Sequence, residues 1–303
     1  ITSLSFIAVE VFTNLSCGSY QPLLADIVPE DQRGIAGGLQ GMMILFGSAL
    51  GYGVTGLLAG QGNLQLALIL IAAVLVVTTS VTLYAIKIVD RRSSRVEPFR
   101  IGTAIGEVFR FRPRIPDFSW FMLGHFLIML GSTNLMFFGL YYFESVLKVE
   151  NPSEAMAITG VTILLISAIS AVVLGSLSDR IGRRKMIIAA AVFAAALNVL
   201  FPFVTTFAVL LAVASAYAIT IGLFNSVTNS FASDLVPKEE SGKYMAYFNL
   251  AIGLANASSP VVAGTVLFLL GGAQSWAGFE AIFVLSSLFY CLGAALIFKV
   301  RKR

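Results

Sequence analysis

Gly175-Ser176-Leu177-Ser178-Asp179-Arg180-Ile181-Gly182-Arg183-Arg184-Lys185 decides how the rest of this chain is read. It is a short, strongly basic turn between two apolar runs, each long enough to cross a bilayer. Gly175 and Gly182 permit close backbone approach and tight turning where a side chain would obstruct. Asp179 stands beside Arg180 and near Arg183 and Arg184, a composition suited to an ion-pair cluster at a membrane face. A simple basic anchor needs the arginines, but neither the aspartate nor the two glycines.

The composition around this turn points the same way. Of 303 residues, 57% are hydrophobic and 12% charged, and the mean hydropathy is +0.88. A water-soluble domain cannot cover that much apolar surface, so the bilayer is the solvent for most of the chain. The pI of about 9.1 raises nucleic acid as a partner, but the basic residues sit in short loops between apolar runs and read as topology signals. Cys17 and Cys291 both fall inside apolar runs, so neither a disulfide framework nor a metal cluster is expected. The chain opens on Ile1, without a cleavable-signal pattern.

Nine apolar runs are long enough to span: about 3–25, 35–59, 64–87, 117–143, 155–177, 186–204, 207–232, 243–270 and 277–298. With Ile1 near the outer face, all but one of the 20 Lys and Arg fall on the inner side, Lys148 being the exception. This places the C-terminus in the cytoplasm. A different helix count would scatter the charges over both faces.

Ala25-Asp26-Ile27-Val28-Pro29-Glu30 is echoed by Ser233-Asp234-Leu235-Val236-Pro237-Lys238, and Gly34 by Gly242, at an offset of 208 residues. Read as an internal repeat, this means two parallel halves. Helices four to six then have counterparts upstream of Ile1. The expectation is an all-α polytopic protein of twelve helices in two bundles, nine of them in this chain. Residues 1–87 are read as the last three helices of the N-terminal bundle. Residues 88–116 form a cytoplasmic linker with a short amphipathic surface helix, and 117–303 form a six-helix C-terminal bundle. In the second run, Gly47-x-x-x-Gly51 and Gly56-x-x-x-Gly60 carry the small-residue spacing of closely packed membrane helices.

The arrangement Gly175-x-x-x-Asp179-Arg180-x-Gly182-Arg183-Arg184-Lys185 resembles the signature loop of the major facilitator superfamily of transporters. In that family the loop joins the second and third helices of a six-helix half. The resemblance implies that Gly175, Asp179, Arg180, Gly182, Arg183 and Arg184 belong to an inner gate whose contacts hold when the inner side is closed. A narrower likeness, over about 40 residues, is to sucrose–proton symporters and their glycoside–cation relatives. It rests on Tyr20-Gln21-Pro22-Leu23-Leu24-Ala25-Asp26 and Gly47-Ser48-Ala49-Leu50-Gly51-Tyr52, with Gln21 where those symporters often carry a basic residue.

Polar side chains within the spans mark a path or interhelical bonds. Glu10, Asn14, Cys17 and Gln21 are offset by 4, 7 and 11 residues, which keeps them within about 40° around a helix. Glu10 is the candidate for coupling, since burial lifts a carboxyl into the range where it exchanges a proton. Asn225 and Asn229 share a face and serve either a cavity between the halves or a bond between helices. Asn134 shares its face with Phe138 and Tyr141, an aromatic-plus-amide surface suited to sugar rings or flat organic solutes. His125, the single histidine, either relays protons or bonds a neighbouring helix. Asn249 and Asn256 are expected to bond between helices, and Glu280 to be solvated near the outer interface.

Together these readings point to a secondary transporter that moves a small solute by alternating access, coupled to a proton or sodium ion, with a sugar or glycoside favoured. It is expected to act as a monomer in the lipid bilayer, without nucleic acid, cofactor or metal. Amphiphile efflux and a non-transporting sensor-like relative are the alternatives. Enzymatic activity is not expected, because the chain has no nucleophile–base set, no paired metal ligands and no phosphate cradle on a strand.

Overall fold

The computed structural model describes residues 33–89, 115–237, 241–272 and 275–301. Every regular element among them is helical. The helices are α1 (Arg33–Gly60), α2 (Leu64–Val89), α3 (Pro116–Ser145), α4 (Pro152–Ile181), α5 (Arg183–Leu200), α6 (Phe207–Asp234), α7 (Ser241–Leu269) and α8 (Trp276–Ile297). Among the described residues, seven stretches, beginning at Leu64 and ending at Ile297, are long and apolar enough to cross a membrane. The expected runs from residue 35 onward each fall on one of the eight helices. The first run and the amphipathic linker helix lie outside the described residues.

In hydrocarbon, a spanning segment must satisfy its backbone polar groups internally, which leaves the helix as the form open to these runs. Hydroxyls inside them follow the same rule. Thr78, Ser80 and Thr82 donate to carbonyls one turn back, at 2.8, 2.7 and 2.8 Å, and Thr159, Thr162 and Thr228 do likewise. Helix starts carry local signals. Pro116 and Pro152 sit in the first turns of α3 and α4, where a missing N–H costs nothing. Thr206 and Ser275 cap α6 and α8 by accepting from Val209 N and Gly278 N.

The chain divides into two compact units. The first holds residues up to Gly51 and Leu68–Val96, so among the described residues it contains the early part of α1 and most of α2. Apolar side chains suited to lipid dominate α2, where Ile69, Val76 and Leu83 are all exposed. The second unit holds Tyr52–Ala67 and Glu97–Arg303, hence α3 to α8. In it α4 lies along α6, α6 along α5, α5 along α8, α8 along α3, and α3 along α7.

Two apolar clusters fill this second unit. Phe118, Phe121, Ile187, Phe231, Phe248 and Ile297 belong to one, at the end where α3 and α5 start and α6 and α8 finish. Tyr142, Phe201, Leu210, Phe279 and Phe283 belong to the other, at the opposite end. Within the first cluster the Tyr217 and Tyr290 hydroxyls share a hydrogen bond of 2.5 Å, which satisfies two phenols that are fully enclosed.

Glycines set the closest helix contacts. A Cβ on Gly124 would stand 2.8 Å from the Gly293 carbonyl oxygen, and one on Gly293 would stand 2.7 Å from that of Gly124. Seven residues along, a Cβ on Gly131 would stand 2.9 Å from Ser286 O. Thus α3 and α8 run antiparallel with their backbones nearly touching over two heptad-spaced steps. Among the Gly-x-x-x-Gly pairs of α1, the expected close packing is found at Gly56, whose Cβ would overlap Ala157 of α4. A Cβ at Gly47, Gly51 or Gly60 meets no described atom.

Candidate functional site

The basic turn is built from a helix stop and an immediate restart. α4 ends at Gly182, whose backbone lies at φ 102° and ψ 123°, and α5 begins at Arg183. Gly182 N donates to Ser178 O at 2.9 Å, and Met186 N donates to Gly182 O at 3.2 Å, so both helix ends close on the one residue. A Cβ at Gly182 would meet no atom. The constraint is therefore the positive φ, not space. Gly182→Ala is expected to cost on the order of 1–3 kcal/mol, seen as a lower thermal midpoint of the purified protein. An unchanged midpoint would mean that the turn relaxes freely.

Arg183 holds the turn to its surroundings. Its Nε and Nη2 donate to Asp179 Oδ1 at 3.2 and 2.9 Å, and its Nη1 donates to Asp234 Oδ2 at 2.5 Å. One guanidinium thus ties the end of α4, the start of α5 and the end of α6. The two carboxylate side chains are 61% and 50% exposed, so water screens each pair and neither adds much stability. Their value is geometric.

Arg184 differs from the expectation of a four-residue ion cluster. Its Nη2 and Nε donate to the carbonyls of Phe298 and Ile297, and its guanidinium lies 5.1 Å from the Phe298 ring centroid. The carbonyls at the end of α8 accept a cation there, in line with the helix dipole. Arg180 is exposed, and Gly175 lets α4 approach Ser226 of α6, where an added Cβ would meet Ser226 Cβ at 3.4 Å.

Asp234 was not among the expected gate residues. The signal was present: it is the aspartate of the echoed Ser-Asp-Leu-Val-Pro turn, and the repeat marks the position without naming its partner. Gly222 was missed as well. A Cβ there would collide with Ser167 O of α4 and stand 2.8 Å from Ser170 Cβ and 2.9 Å from Ala171 N.

The expected solute-path residues separate by exposure. Asn225 and Asn229 are exposed on one face of α6, while Thr220 and Thr228 turn inward and bond their own helix. Tyr141 is 48% exposed. Asn134 is 1% exposed, which differs from an amide presented on an open surface beside Tyr141. Its Nδ2 donates to Ser286 Oγ of α8 at 3.0 Å, and its Oδ1 accepts from Ser259 Oγ of α7 at 2.5 Å. The reason is packing: the heptad glycines draw α8 against the same stretch of α3, and the amide is spent on neighbours. Thr133 donates to Asn256 Oδ1 at 3.1 Å, the interhelical bond expected of Asn256.

Asn134→Ala is expected to lower stability by about 1–3 kcal/mol, because it removes two buried bonds and takes the donor from Ser286 Oγ, while Ser259 keeps Leu130 O as an acceptor. Solute affinity is expected to stay unchanged. A changed affinity at unchanged stability would return Asn134 to the solute path.

His125 is 2% exposed and stacked on Phe121 and Phe248, with ring centroids 5.9 and 4.8 Å away. Its Nδ1 has no hydrogen-bond partner among the described residues. Glu280 accepts from Trp276 Nε1 at 2.6 Å near the start of α8. Glu10, Asn14 and Gln21 lie outside the described residues.

The charged ends give the second unit a polarity. Arg180, Arg183, Arg184, Lys185, Lys299 and Arg301 gather at one end, where Arg183 reaches Asp234 and Arg301 N donates to Asp117 Oδ1. Lys148 stands at the other end, between α3 and α4. The family model of the Major Facilitator Superfamily matches this chain over residues 4–166 and again over 122–303. The chain belongs to the major facilitator superfamily. It is therefore an integral, multi-pass membrane protein of a family of transporters. Among curated proteins, none matches the chain.

Proposed function

We infer that this major facilitator superfamily chain contributes nine helices to a twelve-helix, two-bundle secondary transporter that moves a small solute by alternating access. The observation that carries the reading is Arg183, which gathers Asp179 and Asp234 at the basic end through contacts weak enough to be exchanged. A bistable gate needs that balance. In this reading residues 1–87 end the first bundle, 88–116 link the bundles, and 117–303 form the second. The 208-residue echo supports the pairing of halves. The gathering of cations at one end supports a cytoplasmic C-terminus.

The path would be lined by Glu10, Asn14 and Gln21 from the first bundle and by Tyr141, Asn225 and Asn229 from the second, whose exposure leaves them open to a solute. Glu10 would carry the coupling proton, with a sugar or glycoside as the favoured cargo and one chain as the working unit. His125, closed in by phenylalanines, is the weaker coupling candidate.

The test follows external pH in a lightly buffered suspension of cells expressing the full reading frame, as sugars, glycosides and amphiphiles are added in turn. Alkalinisation with one solute class is expected, and Glu10→Gln is expected to abolish it while solute binding persists. Silence with every sugar, together with export of a dye, would replace this reading with amphiphile efflux.

A further inference from the structure

The basic end of the second unit contains a cavity of about 650 Å³ that the gate does not use. Pro116, Asp117, Trp120, Leu235, Lys299 and Arg301 line it. Pro116 opens α3, Leu235 follows α6, and Lys299 and Arg301 follow α8. Three apolar helices thus start or stop around the cavity, which puts its floor among their ends and its mouth at headgroup depth.

The walls are of two kinds. Trp120 and Leu235 are apolar, whereas Lys299 Nζ sits 4.4 Å from the Trp120 ring centroid and Arg301 stands beside it. Holding the ammonium over the indole face fixes its position beside the apolar wall. Asp117 Oδ1 accepts from Arg301 N at 3.2 Å, and so fastens the chain that carries both cations. With two cations and one carboxylate, the lining carries a single net positive charge.

We propose that this cavity binds the headgroup of an anionic phospholipid, its phosphodiester against Lys299 and Arg301 and the start of its acyl chains against Trp120 and Leu235. A soluble anion would match the cations but leave the apolar walls unused. A zwitterionic lipid would bring its own cation against Lys299. One negative charge on an amphiphile answers both walls.

The experiment uses the full-length protein in nanodiscs of phosphatidylcholine, with Trp276→Phe removing the other tryptophan of this chain, at the far end of α8. Any tryptophan upstream is likewise replaced by phenylalanine. A small fraction of lipid brominated near the headgroup is supplied as either phosphatidylglycerol or phosphatidylcholine. The phosphatidylglycerol is expected to quench Trp120 more strongly. K299Q and R301Q are each expected to reduce its local enrichment about fivefold. Equal quenching by the two lipids in the parent protein would overturn the proposal without reference to any variant. Loss of the preference on adding inorganic phosphate would also overturn it, in favour of a soluble anion.

Discussion

Gly222→Leu is expected to prevent the protein from accumulating in the membrane. At this position the obstacle is backbone: Ser167 O and Ala171 N of α4 face the missing Cβ, with Ser170 Cβ beside them. A flexible neighbour can swing away, but a helix backbone moves only as a whole. The contact also lies in the most extensive helix pairing of the second unit, α4 on α6. Gly222→Ala, with one carbon, is expected to cost about 1–3 kcal/mol. Leucine adds three more and leaves no place for them. The measurement is the monodisperse peak of a fluorescent fusion extracted in detergent. Gly253→Leu serves as the control, because a Cβ there meets nothing and the residue is exposed. Equal recovery of G222L and G253L would show that α4 and α6 separate more readily than their contact implies.

Arg183→Gln is expected to reduce solute-driven flux by about tenfold or more, while membrane abundance stays within about twofold. The asymmetry follows from exposure. Both pairs face water, so the folded unit gains little from them, and their loss leaves Asp179 and Asp234 without the cation that gathers them. A gate is more sensitive than a fold here. A shift of about 1–3 kcal/mol between two access states changes their ratio by up to two orders of magnitude. Arg183→Lys is expected to be intermediate, since an ammonium keeps the charge but not the fork that serves two carboxylates at once. Asp179→Asn is expected to slow transport in the same way, with abundance again preserved. Parallel loss of flux and abundance in R183Q and D179N would make the cluster a folding element.

The helices were legible because a bilayer imposes a minimum apolar length, and seven of the eight runs expected from residue 35 onward fall on described helices that meet it. The basic turn was legible because glycine, aspartate and arginine at fixed spacing answer to backbone and charge alone. Partners were not. Periodicity gives the direction of Asn134 around α3, but not whether Ser259 and Ser286 wait there to bond it. Arg184 reads as one more cation of a cluster until α8 is seen to end beside it. The small-residue spacing in α1 marked Gly56, which does meet Ala157 closely, but also Gly47, Gly51 and Gly60, which meet nothing described, and it gave no sign of the equally tight contacts at Gly124, Gly222 and Gly293. Which faces meet is a property of the assembled bundle, and a single run of residues does not contain it.

The reciprocal glycines of α3 and α8 set each helix's carbonyl against the other's Cα, with Ile128, Tyr290 and Ile297 packed around the contact, so sliding or rolling one helix on the other would drive carbonyl into Cα. The pair is therefore a ruler built into a moving machine. Spin labels on Leu123 and Leu292, both exposed on that pair, should keep one separation through every stage of the transport cycle. Motions elsewhere in the chain can be measured against that fixed reference.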